Sequence, residues 1–256
     1  MERTACTEAA DLGDKPTVSI ATWNVEWRRS GSADANLIRE RLSSVDPAIL
    51  CITEGYTDFF GGSGHMISGG EDWGYPLVPD RRKVMLWSAE PWRDVDMLGS
   101  VDMPGGRYVA ATTETVLGPL RVIGVCIPWA GAHVAGGRRD RTQWQDHRDY
   151  LEALGGIIRA NAMRTVVLGD FNQAHPRRRQ PKAVHDLLSR SVLERMSLAT
   201  GGRIDGGDVQ AIDHIAHSHD LESGAPAMLS NVGSGGKLIS DHFGVAVRLT
   251  QNSAIV

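Results

Sequence analysis

Polar residues that could do chemistry stand at the ends of short apolar runs: Asn24 and Glu26, Glu54, Asp170 and Asn172, and Asp241 with His242. A fifth cluster, Asp213 with His214, interrupts an apolar run. Carboxylate and amide oxygens are the donors preferred by a hard cation such as Mg²⁺. Histidine changes charge near neutral pH, and a neighbouring Asp can fix its tautomer and orientation. Taken together, these residue types can hold a divalent cation and move a proton. Taken singly, each reads as a turn, because Gly, Asp and Asn are turn formers.

The runs that carry these residues read as strands. Residues 18–23 alternate apolar and polar side chains and lead into Asn24. Residues 48–52 form a short buried strand with Glu54 just past its end, and 165–168 is a continuous apolar run entering Gly169-Asp170-Phe171-Asn172. Further strands are expected at 83–87, at 211–216 and at 245–249, with a hairpin of 107–117 and 120–127 across Gly118-Pro119. Asp34 is placed to cap a helix carrying Ile38 and Leu42, closed by Asp46-Pro47. Trp144, Leu151, Leu154 and Ile158 mark one face of a second helix. Residues 55–80 read as one long Gly-rich loop, and a loop of that length is usually functional or mobile. Strand ends are where a rigid scaffold displays side chains toward a shared crevice.

The 256 residues are 41% hydrophobic and 23% charged, enough for a substantial core, which excludes a disordered chain or a disulfide-stapled miniprotein. A net charge of −4 gives no global field for nucleic acid, although a local patch around a metal could still bind a charged polymer. The three cysteines, Cys6, Cys51 and Cys126, lie far apart without a CxxC pair. That usage fits a reducing compartment and argues against structural zinc. Residues 1–16 lack apolar periodicity and read as a flexible tail, 17–250 as one catalytic domain, and 251–256 as a C-terminal tail. With neither an apolar leader nor an 18-residue apolar stretch, the expected location is cytoplasmic, without a membrane span.

In order along the chain, the segments TWNVEW at 22–27, ITEGY at 52–56, LGDFN at 168–172, AIDHI at 211–215 and ISDHFG at 239–244 resemble the endonuclease/exonuclease/phosphatase superfamily. The resemblance implies an α/β sandwich of two mixed sheets packed face to face, with helices outside and the site at one end. It also implies hydrolysis of a phosphodiester or phosphomonoester, dependent on Mg²⁺ or Mn²⁺, by in-line attack of water. A nuclease or DNA-repair-type phosphodiesterase is the first substrate class. A small-molecule or phospholipid-headgroup phosphatase is the alternative, and a non-catalytic binding module the third. The implied partner is a phosphate ester, nucleic acid among the candidates, and no protein partner is evident.

Residue by residue, the resemblance gives Glu54, Glu26 and Asp241 to the metal. Asp170 positions or deprotonates the attacking water, and Asn172 hydrogen-bonds the developing phosphorane. Asn24 helps hold the phosphate, and His242 faces it with Asp213 as its orienting partner. One position departs from the pattern: many relatives carry Tyr or His where GVCIPWAG places Cys126. Either the site recruits another helper, such as His133 or Trp129, or Cys126 is simply a small packed residue. Arg177 and Arg178 follow GDFN closely and are candidates for substrate phosphates, with a solvated loop as the alternative. Trp73, Trp92 and Trp129 fall in expected loops and could contact a base, whereas Trp23, Trp27, Trp87 and Trp144 are assigned to the core.

Overall fold

The computed structural model describes residues 15–161, 163–204 and 210–254. Two crossover units set its plan. In the first, strand β1 (Val18–Asn24) passes through helix α1 (Ala33–Ser43) to β2 (Ile49–Tyr56), and β1 and β2 pair in parallel. Strands β3 (His65–Ser68), β4 (Arg81–Ser88), β5 (Trp92–Asp96) and β6 (Tyr108–Thr113) follow. In the second unit, β7 (Leu120–Cys126) passes through α2 (Gln145–Ala160) to β8 (Thr165–Asp170), again a parallel pair. Parallel neighbours need such a crossover, and a helix supplies it. The chain continues through α3 (Lys182–Leu188), β9 (Met196–Leu198), β10 (Asp213–Ser218), β11 (Leu221–Ser223), β12 (Ala227–Leu229) and β13 (Gly244–Gln251).

One sheet has seven strands in the order β11-β13-β1-β2-β4-β3, with β12 also on β13, and the other has six, β5-β6-β7-β8-β10-β9. Period-two alternation decides which faces meet. Val18 and Ile20 of β1 pack inward against Leu120, Val122 and Leu168 of the opposite sheet. Ala21 and Trp23 point outward under Ile38 and Leu42 of α1. On the other outer face, Ile123 and Val125 lie under Leu151, Leu154 and Ile158 of α2. The result is the expected sandwich of two mixed sheets with helices outside.

Several boundaries differ from the sequence reading. Ser32, not Asp34, caps α1: its backbone is extended and its hydroxyl accepts from the Ala35 N–H at 3.1 Å. Asp34 sits in the first turn, 3.6 Å from the Lys237 ammonium. Strand β2 runs on through Glu54 to Tyr56, because pairing with β4 continues to Arg81, and β3 occupies part of the expected long loop. Trp144 precedes α2 with a left-handed backbone (φ 66°) instead of lying within the helix. Trp92 lies in β5, and its indole donates to the His65 carbonyl. Gln251, assigned to the C-terminal tail, pairs with Leu221 as the last residue of β13. Residues 1–14 of the expected N-terminal tail lie outside the described residues. Among the described residues no helix is long and apolar enough to cross a membrane.

Candidate active site

Strand direction brings the polar clusters together. β1, β2 and β8 end in Asn24, in Glu54 two residues before Tyr56, and in Asp170. β10 runs antiparallel to β8, and β13 antiparallel to β1, so Asp213 and the His242 segment begin at that same end. β4 and β6 are antiparallel to β2 and β7, which brings Lys83 and Arg107 there too.

Asp170 is buried and accepts three hydrogen bonds. The Asn172 backbone N–H donates to Oδ1 at 2.8 Å, while the side-chain amides of Asn172 and Asn24 donate to Oδ2 at 2.9 and 3.1 Å. Burial pushes its carboxyl up to about 7; His242 opposes the rise, and Asp213 and Glu54 add to it. A carboxylate so placed is ready to take a proton near neutral pH. The preceding Gly169 has φ +136°, and a Cβ there would lie 2.0 Å from the Val125 carbonyl oxygen. Only glycine lets β8 approach β7 closely enough to deliver Asp170. The Asn172 amide also donates to the Ile127 carbonyl at 2.9 Å, so in this structure it positions Asp170.

His242 Nδ1 is hydrogen-bonded to Asp213 Oδ2. Burial disfavours the imidazolium, but Asp213, Asp170 and Asp241 together outweigh it and raise the pKa to about 10. The cationic form therefore prevails at neutral pH. Nε2 lies 3.9 Å from Asp241 Oδ1. The segment is tied to β1 by two bonds, Trp23 Nε1 donating to the His242 carbonyl at 2.9 Å and the Ser240 hydroxyl to the Asn24 carbonyl at 2.7 Å. It is braced internally by the His242 N–H donating to the Ser240 hydroxyl at 3.2 Å.

Glu54, Glu26 and Asn172 have left-handed backbones (φ 52°, 47° and 51°). Each costs roughly 1 kcal/mol or more in a non-glycine residue, and such strain gathers at functional sites. The Trp27 N–H donates to the Glu54 carbonyl at 2.6 Å, seating the loop after β1 on β2. Glu26 Oε2 accepts from Arg28 at 2.8 Å and from the Asp241 N–H at 3.1 Å, and its own N–H donates to Asn24 Oδ1 at 3.0 Å. Glu54, Glu26, Asp241 and Asn24 thus offer oxygen donors only. The nearby Cys126 thiol is pushed up by burial to about 12 and stays neutral, so the donor set fits a hard divalent cation. Among the described residues, the acidic and histidine side chains whose ligand atoms converge, within 4.8 Å of one another, are Asp170, Asp213 and His242.

Other candidates fall elsewhere. Arg177 and Arg178 are exposed, and Arg177 donates to the Gln180 carbonyl on its own loop at 3.2 Å. His133 is fully buried, its ring nitrogens facing Asp146 and the Trp73 carbonyl, so it braces a wall and offers substrate no free nitrogen. His214 is likewise tied to Thr200 and the Gln173 carbonyl, with burial pushing it down to about 4. Cys126 is packed between the sheets. Trp129 is 53% exposed and lines a cavity of about 800 Å³. Trp27, expected in the core, lines that cavity and stacks on Trp73 with centroids 5.7 Å apart. Lys83, Arg81 and Arg107 also line it, and sequence reasoning missed all three. The one available signal was a basic residue embedded in an apolar strand.

Comparison with known proteins identifies the family and the fold. The endonuclease/exonuclease/phosphatase family matches residues 21–242, and the chain belongs to that family, whose members hydrolyse phosphate esters. A comparison with curated proteins found no match. Among solved structures, the human nocturnin catalytic domain with a bound sulfate superimposes with TM-score 0.65 at 18% identity, over 93% of this chain and 94% of that one. The 3′ phosphatase NExo from Neisseria, bound to a product DNA hairpin, gives 0.64 at 19% identity over 90% and 98%. The endonuclease domain of TRAS1, a telomere-specific non-LTR retrotransposon, gives 0.63 at 15% over 92% and 99%.

Proposed function

We propose that this protein hydrolyses a phosphodiester or phosphomonoester by direct attack of water, with a nuclease-type substrate first in order. The observation that supports it most is the buried Asp170 carboxylate, held by Asn24 and Asn172 beside the Asp213–His242 pair. Asp170 orients the water and accepts its proton as the oxygen closes on phosphorus, while the ester P–O bond opposite breaks and the departing alkoxide takes a proton from solvent. His242, kept cationic by Asp213, presents Nε2 to a phosphoryl oxygen as negative charge builds. Asn24 and Asn172 keep the base aimed, and Asn172 turns its amide toward the phosphate when substrate displaces the Ile127 contact. Glu54, with Glu26, Asp241 and Asn24, would hold Mg²⁺ or Mn²⁺, which supplies positive charge to the phosphoryl oxygens. The nuclease order follows the DNA-bound NExo phosphatase and the TRAS1 endonuclease among similar folds. The net charge of −4 favours a small-molecule phosphate ester as the second reading.

A substrate panel with Mg²⁺ or Mn²⁺ tests the order: single-stranded DNA, duplex with an abasic site, RNA, inositol phosphates and sphingomyelin. Turnover of a nucleic acid above the others is expected. Turnover of inositol phosphates or sphingomyelin alone reverses the order, and no turnover of any substrate removes the enzymatic reading.

A further inference from the structure

The cavity beside the site carries more positive charge than the rest of the protein prepares for. Arg81, Lys83 and Arg107 line it, no Asp or Glu does, and the whole chain has net charge −4. Arg107 is only 2% exposed, yet no carboxylate among the described residues pairs with it. Its Nη1 reaches the Cys126 carbonyl at 3.4 Å and Sγ at 3.9 Å, both long contacts, and its buried Nε has no partner. A desolvated guanidinium without an anion is costly, so the fold keeps a donor that a ligand can satisfy. Lys83 lies alongside, its ammonium 2.6 Å from Glu54 Oε1 and 5.1 Å from the Trp27 ring centroid. Arg81 covers Trp27 at 4.7 Å.

None of Asn24, Asp170, Asn172, Asp213 or His242 lines this cavity, so a group bound in it is not the group being cleaved. Trp129 provides an exposed ring at its wall. Its indole rests on Gly131, where a Cβ would come within 2.5 Å of the ring. A planar base can stack there, and a volume of about 800 Å³ takes one nucleotide unit.

We propose that Lys83 and Arg107 form an anion subsite for a second, non-reacting phosphate of a nucleotide unit whose base stacks on Trp129. Lys83 bridges the two regions, touching Glu54 on one side and the bound phosphate on the other. The inference deepens the phosphoesterase reading by naming what flanks the cleaved bond.

The test is binding to the full chain in EDTA, followed by calorimetry, which needs no turnover. The probes are adenosine 3′,5′-bisphosphate, adenosine 5′-monophosphate and adenosine. The bisphosphate should bind about tenfold or more tighter than the monophosphate, the scale of one added charge-assisted contact. Lys83→Met and Arg107→Met should remove that preference, and Trp129→Ala should weaken both nucleotides together. Should Arg107→Met fail to fold, Lys83→Met and Trp129→Ala still decide. Equal binding of the two nucleotides, a preference that survives Lys83→Met, or unchanged binding in Trp129→Ala would overturn the subsite. Hydrolysis of bis(p-nitrophenyl) phosphate with Mn²⁺ separates the two failures. Turnover without the binding preference sinks only the subsite, and the preference without turnover sinks only the enzymatic reading.

Discussion

Asp170 meets two opposed demands: burial resists its charge, and three donors from Asn24 and Asn172 support it. With the carboxyl near 7, a base that must be ionised gains activity as pH climbs through that value. His242 acts as a cation and loses its proton only as pH passes about 10, so activity falls there. The expected rate profile is a bell between these limbs, with a bound divalent cation drawing the acid limb lower. An acid limb that persists unchanged in Asp170→Asn would remove Asp170 as the base. Glu54→Gln keeps size and removes charge, so metal-dependent turnover should collapse in a chain that still folds, with a lowered thermal midpoint because the buried Lys83 ammonium loses its carboxylate partner. Unchanged turnover at low Mg²⁺ would take Glu54 off the metal. Cys126, neutral and packed, should tolerate Cys126→Ala with a loss of about 1 kcal/mol and little change in turnover per folded molecule. A stable but inactive Cys126→Ala would give the thiol a chemical role. At this scale the sequence was informative about placement: Asn24, Asp170, Asn172, Asp213 and His242 lie in contact at one end of the two sheets, with Glu54 on the neighbouring strand. Lys83 and Arg107 were not legible, because each becomes a site residue only through the antiparallel neighbour that sets its height in the sheet.

The elements that carry the site are the ones their apolar runs announced. β1 and β8 are long and interior, so burial on both faces writes them into composition. Strands β3, β9, β11 and β12, three or four residues each, left no such trace, because pairing with a longer neighbour creates them. Glu54 was read as lying past its strand because polarity ends the apolar run at Ile52, whereas hydrogen bonding to β4 carries the strand four residues further. The close approach of β7 and β8 makes Gly169 a sensitive point. Gly169→Ala combines a left-handed backbone with a Cβ against the Val125 carbonyl, and should cost about 3 kcal/mol or more, read from the denaturant midpoint. A loss below about 1 kcal/mol would show that the strands separate easily. Asp213 on β10 and His242 before β13 belong to different sheets and act as one unit. The double alanine variant should therefore be scarcely slower than His242→Ala alone, and losses that multiply would break the pairing.

For the whole molecule, two crossover units packed face to face place β1, β2, β7 and β8 with their C-terminal ends together, and every proposed reacting group lies there. The sandwich was legible because five motif segments spread across both units in order. The cavity was not, since its walls come from residues 27, 73, 81, 107 and 129, which share no local pattern. The central claim is that this shared end is a metal-assisted water-activating site built on Asp170. The most direct measurement is initial-rate hydrolysis of bis(p-nitrophenyl) phosphate by wild type and Asp170→Asn, each with Mn²⁺ and with EDTA. The account predicts turnover only in wild type with Mn²⁺, with Asp170→Asn slower by about 100-fold or more, the scale of a lost general base. Equal rates in the two proteins, or wild-type turnover undiminished by EDTA, would contradict it.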